Sequence, residues 1–381
     1  MAHKKGIKHP FLMSHPCSSP QQILMRKIII VSMLVVIVLF MSGATCLHAQ
    51  QIIVTDALER QINFETPPQR IVVTGKAFFM ITDALYLFPA AADRIAATGI
   101  FQQGAQSFIA MLDPKAAEKA VFAPNAGAEQ IAAFQPDAVI LKSYLAESLG
   151  TTLDVLGIPV VYVDLETPEQ YLRDLRIIGD LFGQPERAEE LVEYYQHGVE
   201  EIQTALHDLA ATQTPRVLLL NYSNKDGVTA FQVPPLNWIQ TRLVELAGGE
   251  PVWRESNPGK GWSTVTLEQI SAWDADVILI VSYFKNLTEV LREIKADQTW
   301  NAVRAVQTNH LYAFPGDLNI WDQPNPRWIL GLTWLAQKLH SERFADVDII
   351  AVTQEFYQKL YNLDTAFFET HLRPMLQGDL Q

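Results

Sequence analysis

Glu129-Gln130-Ile131-Ala132-Ala133-Phe134-Gln135-Pro136-Asp137 runs straight into Ala138-Val139-Ile140-Leu141. The same plan returns at Glu268-Gln269-Ile270-Ser271-Ala272-Trp273-Asp274-Ala275-Asp276 before Val277-Ile278-Leu279-Ile280. Each copy reads as a short helix opened by Glu-Gln-Ile, an aromatic near its end, an aspartate and a continuous apolar run. Such a run, short and without polar alternation, fits a strand buried on both faces of a parallel sheet. Two copies imply two related α/β halves. Thr266 with Gln269 fits a capping box, which sets Glu268 in the first helical turn, where the helix dipole stabilises its charge. Glu129 has the matching place in the first copy.

Outward from this pair, further strands are expected at 71–74, 160–163, 217–221 and 311–314, with an edge hairpin over 56–64. Residues 186–209 are the clearest helix. Ala188, Leu191, Val192, Tyr195, Val199, Ile202, Leu206 and Leu209 recur at steps of three and four. With a helical 168–182 before it, this segment separates the halves, and a long helix between lobes acts as a stiff spine. The expected organisation is an N-terminal extension and signal peptide (1–49), an N-terminal lobe (50–166), a linker with the spine helix (167–213) and a C-terminal lobe (214–381). The fold class is α/β, two Rossmann-like lobes with a ligand cleft between them.

Met25-Arg26-Lys27 precedes an apolar run over 28–41 broken only by Ser32, the pattern of a secretory leader. Cleavage is expected after Ala49, with Ala44 and lipoprotein processing at Cys46 as alternatives. Thr45 is a poor residue before a lipidated cysteine, so a soluble periplasmic product is expected. Cys17 and Cys46 are the two cysteines of the chain. A mature chain from Gln50 would have no thiol, which excludes disulfides, thiolate metal sites and cysteine nucleophiles. Residues 1–49 hold five of the 29 basic residues and none of the 42 acidic ones, so the remainder carries 24 basic against 42 acidic, a formal charge of −18. Such a domain is a poor general nucleic-acid binder.

Several segments, in their order and spacing, resemble the periplasmic binding proteins of ABC importers for ferric siderophores, haem and cobalamin, over nearly all of 51–340. They are Ile53-Val54-Thr55-Asp56, Pro68-Gln69-Arg70-Ile71-Val72, the unit ending at Leu141, Leu156-Gly157-Ile158-Pro159, Leu246-Ala247-Gly248-Gly249, Thr266-Leu267-Glu268-Gln269-Ile270 and Asn325-Pro326-Arg327. The resemblance implies that Glu129 and Glu268 meet arginines on an inner-membrane permease dimer. It also implies a monomer that delivers its solute and holds no cofactor of its own. The chain departs from the pattern in two places. Many members carry a glutamate in the first helix, where Phe78-Phe79-Met80-Ile81-Thr82-Asp83 stands here. Residues after 340 extend further than usual, with helical 348–361 and 364–376.

Ligands of open α/β sheets bind beyond the carboxyl ends of strands. That rule selects Lys76, Phe78, Lys142, Tyr144, Tyr222, Tyr283, Lys285 and Trp321, and the Gly-rich loop 259–263 adds Trp262. Aromatic faces suit flat or bulky ligands, and three lysines would neutralise an anionic chelate. The histidines after residue 50 are scattered, so no protein-held metal is expected. Hydrolase elbows, phosphate loops and dinucleotide fingerprints are missing, so an enzyme is not expected. The ligand expected first is a ferric siderophore. Cobalamin or another corrinoid, haem, and molybdate or tungstate are the alternatives, and an exported hydrolase is the reading from another class.

Overall fold

The computed structural model describes residues 51–99, 108–123, 125–225, 227–257 and 259–380, together with Gln21 and Met25. Residues 26–50, which include the rest of the leader, and both cysteines lie outside them. No helix among the described residues is long and apolar enough to cross a membrane.

The first lobe is built on a five-stranded parallel sheet in the order β5-β4-β3-β6-β7. These are β3 (Ile71–Val73), β4 (Ile95–Gly99), β5 (Ala120–Phe122), β6 (Ala138–Lys142) and β7 (Val160–Val163). Strands β3, β6 and β7 are buried at every residue, the reason they read as unbroken apolar runs. Ahead of the sheet, β1 (Ile52–Thr55) and β2 (Gln61–Phe64) form an antiparallel hairpin. Asp56 organises its turn by accepting the amides of Leu58 and Arg60 and the Arg60 guanidinium, which also donates to the carbonyl of Val160 in β7.

The second lobe has the sheet β11-β9-β8-β12-β13, with β10 also on β8. Here β8 (Arg216–Lys225), β10 (Glu250–Pro251), β12 (Val277–Val281) and β13 (Leu311–Ala313) run parallel. β9 (Val228–Val233) pairs antiparallel with both β8 and β11 (Ser263–Val265). Strands 71–73, 138–142, 160–163, 277–281 and 311–313 stand where they are predicted. β1, which starts the hairpin at residue 52 and not 56, and β4, β5, β9, β10 and β11 are additional.

Between the sheets lie two packed helices. The first, Pro168–Phe182, has Thr167 as N-cap, accepting from the Gln170 amide at 3.2 Å, proline at its first turn and Gly183 at φ 64° beyond its end. The second, Pro185–Ala205, is the expected spine. A Cβ on Gly179 would sit 2.4 Å from that of Ala188, so glycine is what lets these helices approach. The Tyr195 ring of the spine stacks on Trp328 of the second lobe at 5.1 Å, and its hydroxyl donates to the carbonyl of Pro326.

The segment beyond residue 340 ties the lobes together. Its helix Ile349–Tyr361 brings Tyr357 to a fully buried ion cluster. Arg327 there donates to Asp83 of the first-lobe helix Phe78–Leu85 at 3.1 Å and to Asp317 after β13 at 2.9 Å, and Tyr357 donates to Asp317. Asn319 adds a bond to Asp83 at 3.2 Å. Asp83 is thus the partner of Arg327 in the helix where the sequence departs from the family pattern. The spine's Arg187 donates to the carbonyls of Leu87 and Leu360, joining the spine to the first lobe and to the C-terminal helix.

Candidate ligand-binding site

At the carboxyl edge of the second sheet, three aromatics from three connections meet. Tyr283 follows β12, Trp262 precedes β11, and Trp238 is the N-cap residue of the helix Ile239–Leu246. The rings of Trp238 and Trp262 are 5.6 Å apart edge to face, and those of Trp262 and Tyr283 6.1 Å apart. All three side chains are half-buried, which leaves part of each ring free for contact.

This wall is anchored by a buried polar cluster. The Tyr283 hydroxyl donates to Asp322 Oδ2 at 2.6 Å, and Gln240 Nε2 donates to the same oxygen at 3.2 Å. Asp322 is 0% exposed and Gln240 4%. Burial pushes the Asp322 carboxyl up to about 6, against the opposing effect of the Tyr283 hydroxyl, the Gln240 amide and its own backbone amide. Burial, and then the Asp322 charge, holds the Tyr283 hydroxyl well above its usual range. Among the described residues Asp322 Oδ1 and Gln240 Oε1 have no hydrogen-bond partner. Gln240 and Asp322 escaped the sequence reading because neither follows a strand in a recognisable motif.

The remaining predicted residues fall into separate groups. Tyr222 donates to Glu293 at 3.2 Å, and Lys285 pairs with the same carboxylate at 2.5 Å while lying 5.4 Å from the Tyr222 ring centre. That carboxylate holds the Lys285 ammonium above its ordinary pKa. Lys142 is 1% exposed and bound to Glu166 at 2.8 Å and to the carbonyl of Asp164, which takes it out of the expected cationic wall. Trp321 is fully buried, its indole N–H donating to Asp317, so it presents no open face. Lys76 and Tyr144 are exposed at the edge of the first sheet, where the Tyr144 hydroxyl donates to the Lys76 carbonyl at 3.0 Å. Phe78 packs against Gly99, whose added Cβ would meet the ring at 2.7 Å. The structure therefore brings Trp262 to Tyr283, Tyr222 to Lys285 and Lys76 to Tyr144. Lys142 and Lys285 do not form a shared positive site because each has its own carboxylate.

Glu129 and Glu268 are exposed, each the second residue of a short helix (Ala128–Ala132 and Leu267–Trp273). Thr266 accepts from the Gln269 amide at 3.2 Å, and Gln130 accepts from the Gly127 amide at 3.1 Å, the two complementary halves of a capping box. The residue's own backbone amide, and then the Thr266 hydroxyl, lower the Glu268 pKa. Among the described residues no group of three or more His, Cys, Asp or Glu side chains could hold a metal ion.

Comparison with known proteins places this geometry. The model of the periplasmic binding protein family matches residues 121–318. The molybdate-binding protein MolA of Haemophilus influenzae is 25% identical over 254 residues, covering 61% of this chain and 69% of that protein. The vitamin B12-binding protein of Salmonella typhi is 27% identical over 217 residues, covering 55% and 72%. Among solved structures, a periplasmic solute binding protein of Veillonella parvula superposes with a TM-score of 0.66 at 22% identity, covering 85% of this chain and 97% of that one. Molybdate-bound MolA superposes at 0.65 and 22%, covering 82% and 98%.

Proposed function

Because this chain belongs to the periplasmic binding protein family, a family of solute-binding proteins and not of enzymes, we propose that it captures a bulky metal chelate of low net charge and delivers it to the permease of an ABC importer. The observation that carries this reading is the Trp238–Trp262–Tyr283 wall anchored on a carboxylate. Aromatic faces reward a flat organic periphery through buried apolar area, about 25 cal/mol per Å². With Lys142 and Lys285 already neutralised, an anionic ligand has little cationic charge to meet, and Asp322 opposes it. That favours a corrinoid-like complex over the ferric siderophore first expected from the lysines. Haem, with two propionates, fits less well for the same reason.

In this reading the chain is exported through its leader at residues 25–49, lobes 50–166 and 214–381 close on the ligand about the 167–213 linker, and Glu129 and Glu268 dock the permease. A second reading, a molybdate or tungstate carrier, is favoured by the similarity to the molybdate-binding protein. Exposed Lys76 is its best cationic candidate. Calorimetric titration with vitamin B12, a ferric tris-catecholate and molybdate separates the readings. Saturable binding of an organic complex with no response to molybdate is expected. Tight molybdate binding alone would replace the first reading by the second.

A further inference from the structure

Two buried acceptors of one second-lobe cluster have no donor among the described residues. Asp322 Oδ2 accepts from the Tyr283 hydroxyl and Gln240 Nε2, the residue's own backbone amide also favours the charged carboxylate, and Oδ1 has no hydrogen-bond partner among the described residues. Gln240 cannot be flipped to repair this. Turning its carbonyl toward the carboxylate would set two acceptors against each other, so the amide points its N–H₂ at Asp322 and leaves Oε1 unpaired. A buried acceptor without a donor costs about 1–3 kcal/mol. The cost falls twice on one cluster, and that cluster holds a ring of the aromatic wall.

Resting on the chelate reading above, we propose that Asp322 and Gln240 select the ligand by polarity, their free oxygens receiving the two hydrogens of a carboxamide N–H₂ on the periphery of the bound complex. The group is donor-specific. A carboxylate, a catecholate oxygen or an oxo group offers only lone pairs to these positions and leaves both acceptors unpaired, next to a carboxylate that repels it. Sites built to hydrogen-bond a ligand group discriminate strongly against analogues that lack it, because their own buried polar atoms are then stranded. Aromatic contact thus supplies area, and the Asp322–Gln240 pair supplies the choice among ligands of similar area.

The test uses vitamin B12, which carries primary carboxamides, and its monocarboxylate derivatives, in which one carboxamide is an acid. Wild-type protein is expected to bind vitamin B12 and to bind at least one monocarboxylate about tenfold more weakly or worse. Asp322→Asn puts a donor where an acceptor stood and should weaken vitamin B12 about tenfold to a hundredfold while erasing that discrimination. If Asp322→Asn does not fold, Gln240→Leu, which keeps the Tyr283–Asp322 bond, carries the same test at the second acceptor. Unchanged affinity and discrimination in a folded variant, as expected if the oxygens only hold buried water, would overturn the polarity assignment alone. Binding of the ferric catecholate in place of vitamin B12 would also overturn it while leaving the chelate reading standing. A wild-type protein that takes molybdate and neither organic complex would overturn both.

Discussion

The two copies of the helix-to-strand unit agree at one end of their sheets and part at the other. At the amino end the match extends to individual atoms. Arg70 donates through its guanidinium to the carbonyl of Phe134 and through its amide to Asp137, and Arg216 does the same to Trp273 and Asp276. Gln135 and Asp274 occupy equivalent positions with φ of 49° and 45°. At the carboxyl end Ser143-Tyr144 stands opposite Ser282-Tyr283 in the same register, yet the tyrosines have different surroundings. Tyr144 is 57% exposed and reaches a backbone carbonyl, whereas Tyr283 is bound to buried Asp322. The shared end supports two like surfaces for a symmetric partner. The divergent end supports an asymmetric ligand, with chemistry concentrated in the second lobe.

The strongest way to break this division is at the shared end. Replacing Glu129 and Glu268 together by alanine should abolish stimulation of the transporter's ATPase activity in vesicles and leave ligand affinity unchanged. Lost affinity with normal stimulation would reverse the assignment. The next effect concerns the link between lobes. Arg327→Ala strands Asp83 and Asp317 as buried carboxylates and should lower unfolding free energy by about 3–5 kcal/mol in urea melts. A change under about 1 kcal/mol would mean that the cluster does not hold the lobes.

Asp322 gives the third test, through pH. Its folded pKa of about 6 lies above the 3.8 of an unperturbed aspartate. The native state therefore holds the proton longer than the unfolded one. The stabilisation this gives is full below pH 3.8 and is lost as pH rises through 6, up to about 3 kcal/mol in all. Denaturation of wild type and Asp322→Asn should show the variant gaining relative stability by that order from pH 4 to 7. A constant difference across the range would show that Asp322 titrates normally. The smallest effect sharpens the comparison most narrowly. Tyr283→Phe should weaken ligand about tenfold and Tyr144→Phe by less than about threefold, read by tryptophan fluorescence. Equal losses would place ligand chemistry on both lobes.

Much of this was legible in the chain. The buried strands and the helix 168–182 announce themselves by unbroken apolar runs and by caps. β4 did not, because Ile95-Ala96-Ala97-Thr98-Gly99 is small-residue sequence that becomes a strand only through its neighbours β3 and β5. Of the expected site residues Trp262 and Tyr283 meet, whereas the three lysines, equivalent in sequence, differ once Glu166 and Glu293 pair with two of them. Glu166 and Glu293 reach Lys142 and Lys285 from separate helices and loops, and spacing alone cannot forecast such pairing. The alignment of Ser143-Tyr144 with Ser282-Tyr283 was present as a signal in the repeat, and extending the repeat by two residues past each strand finds it.

The central claim is that the second lobe's carboxyl edge accepts a metal complex by its organic face. Mass spectrometry with elemental analysis of the ligand released from protein purified from its native envelope tests this most directly. One metal atom per molecule of an organic ligand bearing amide N–H groups is the expected result; molybdenum or tungsten without any organic component would contradict it.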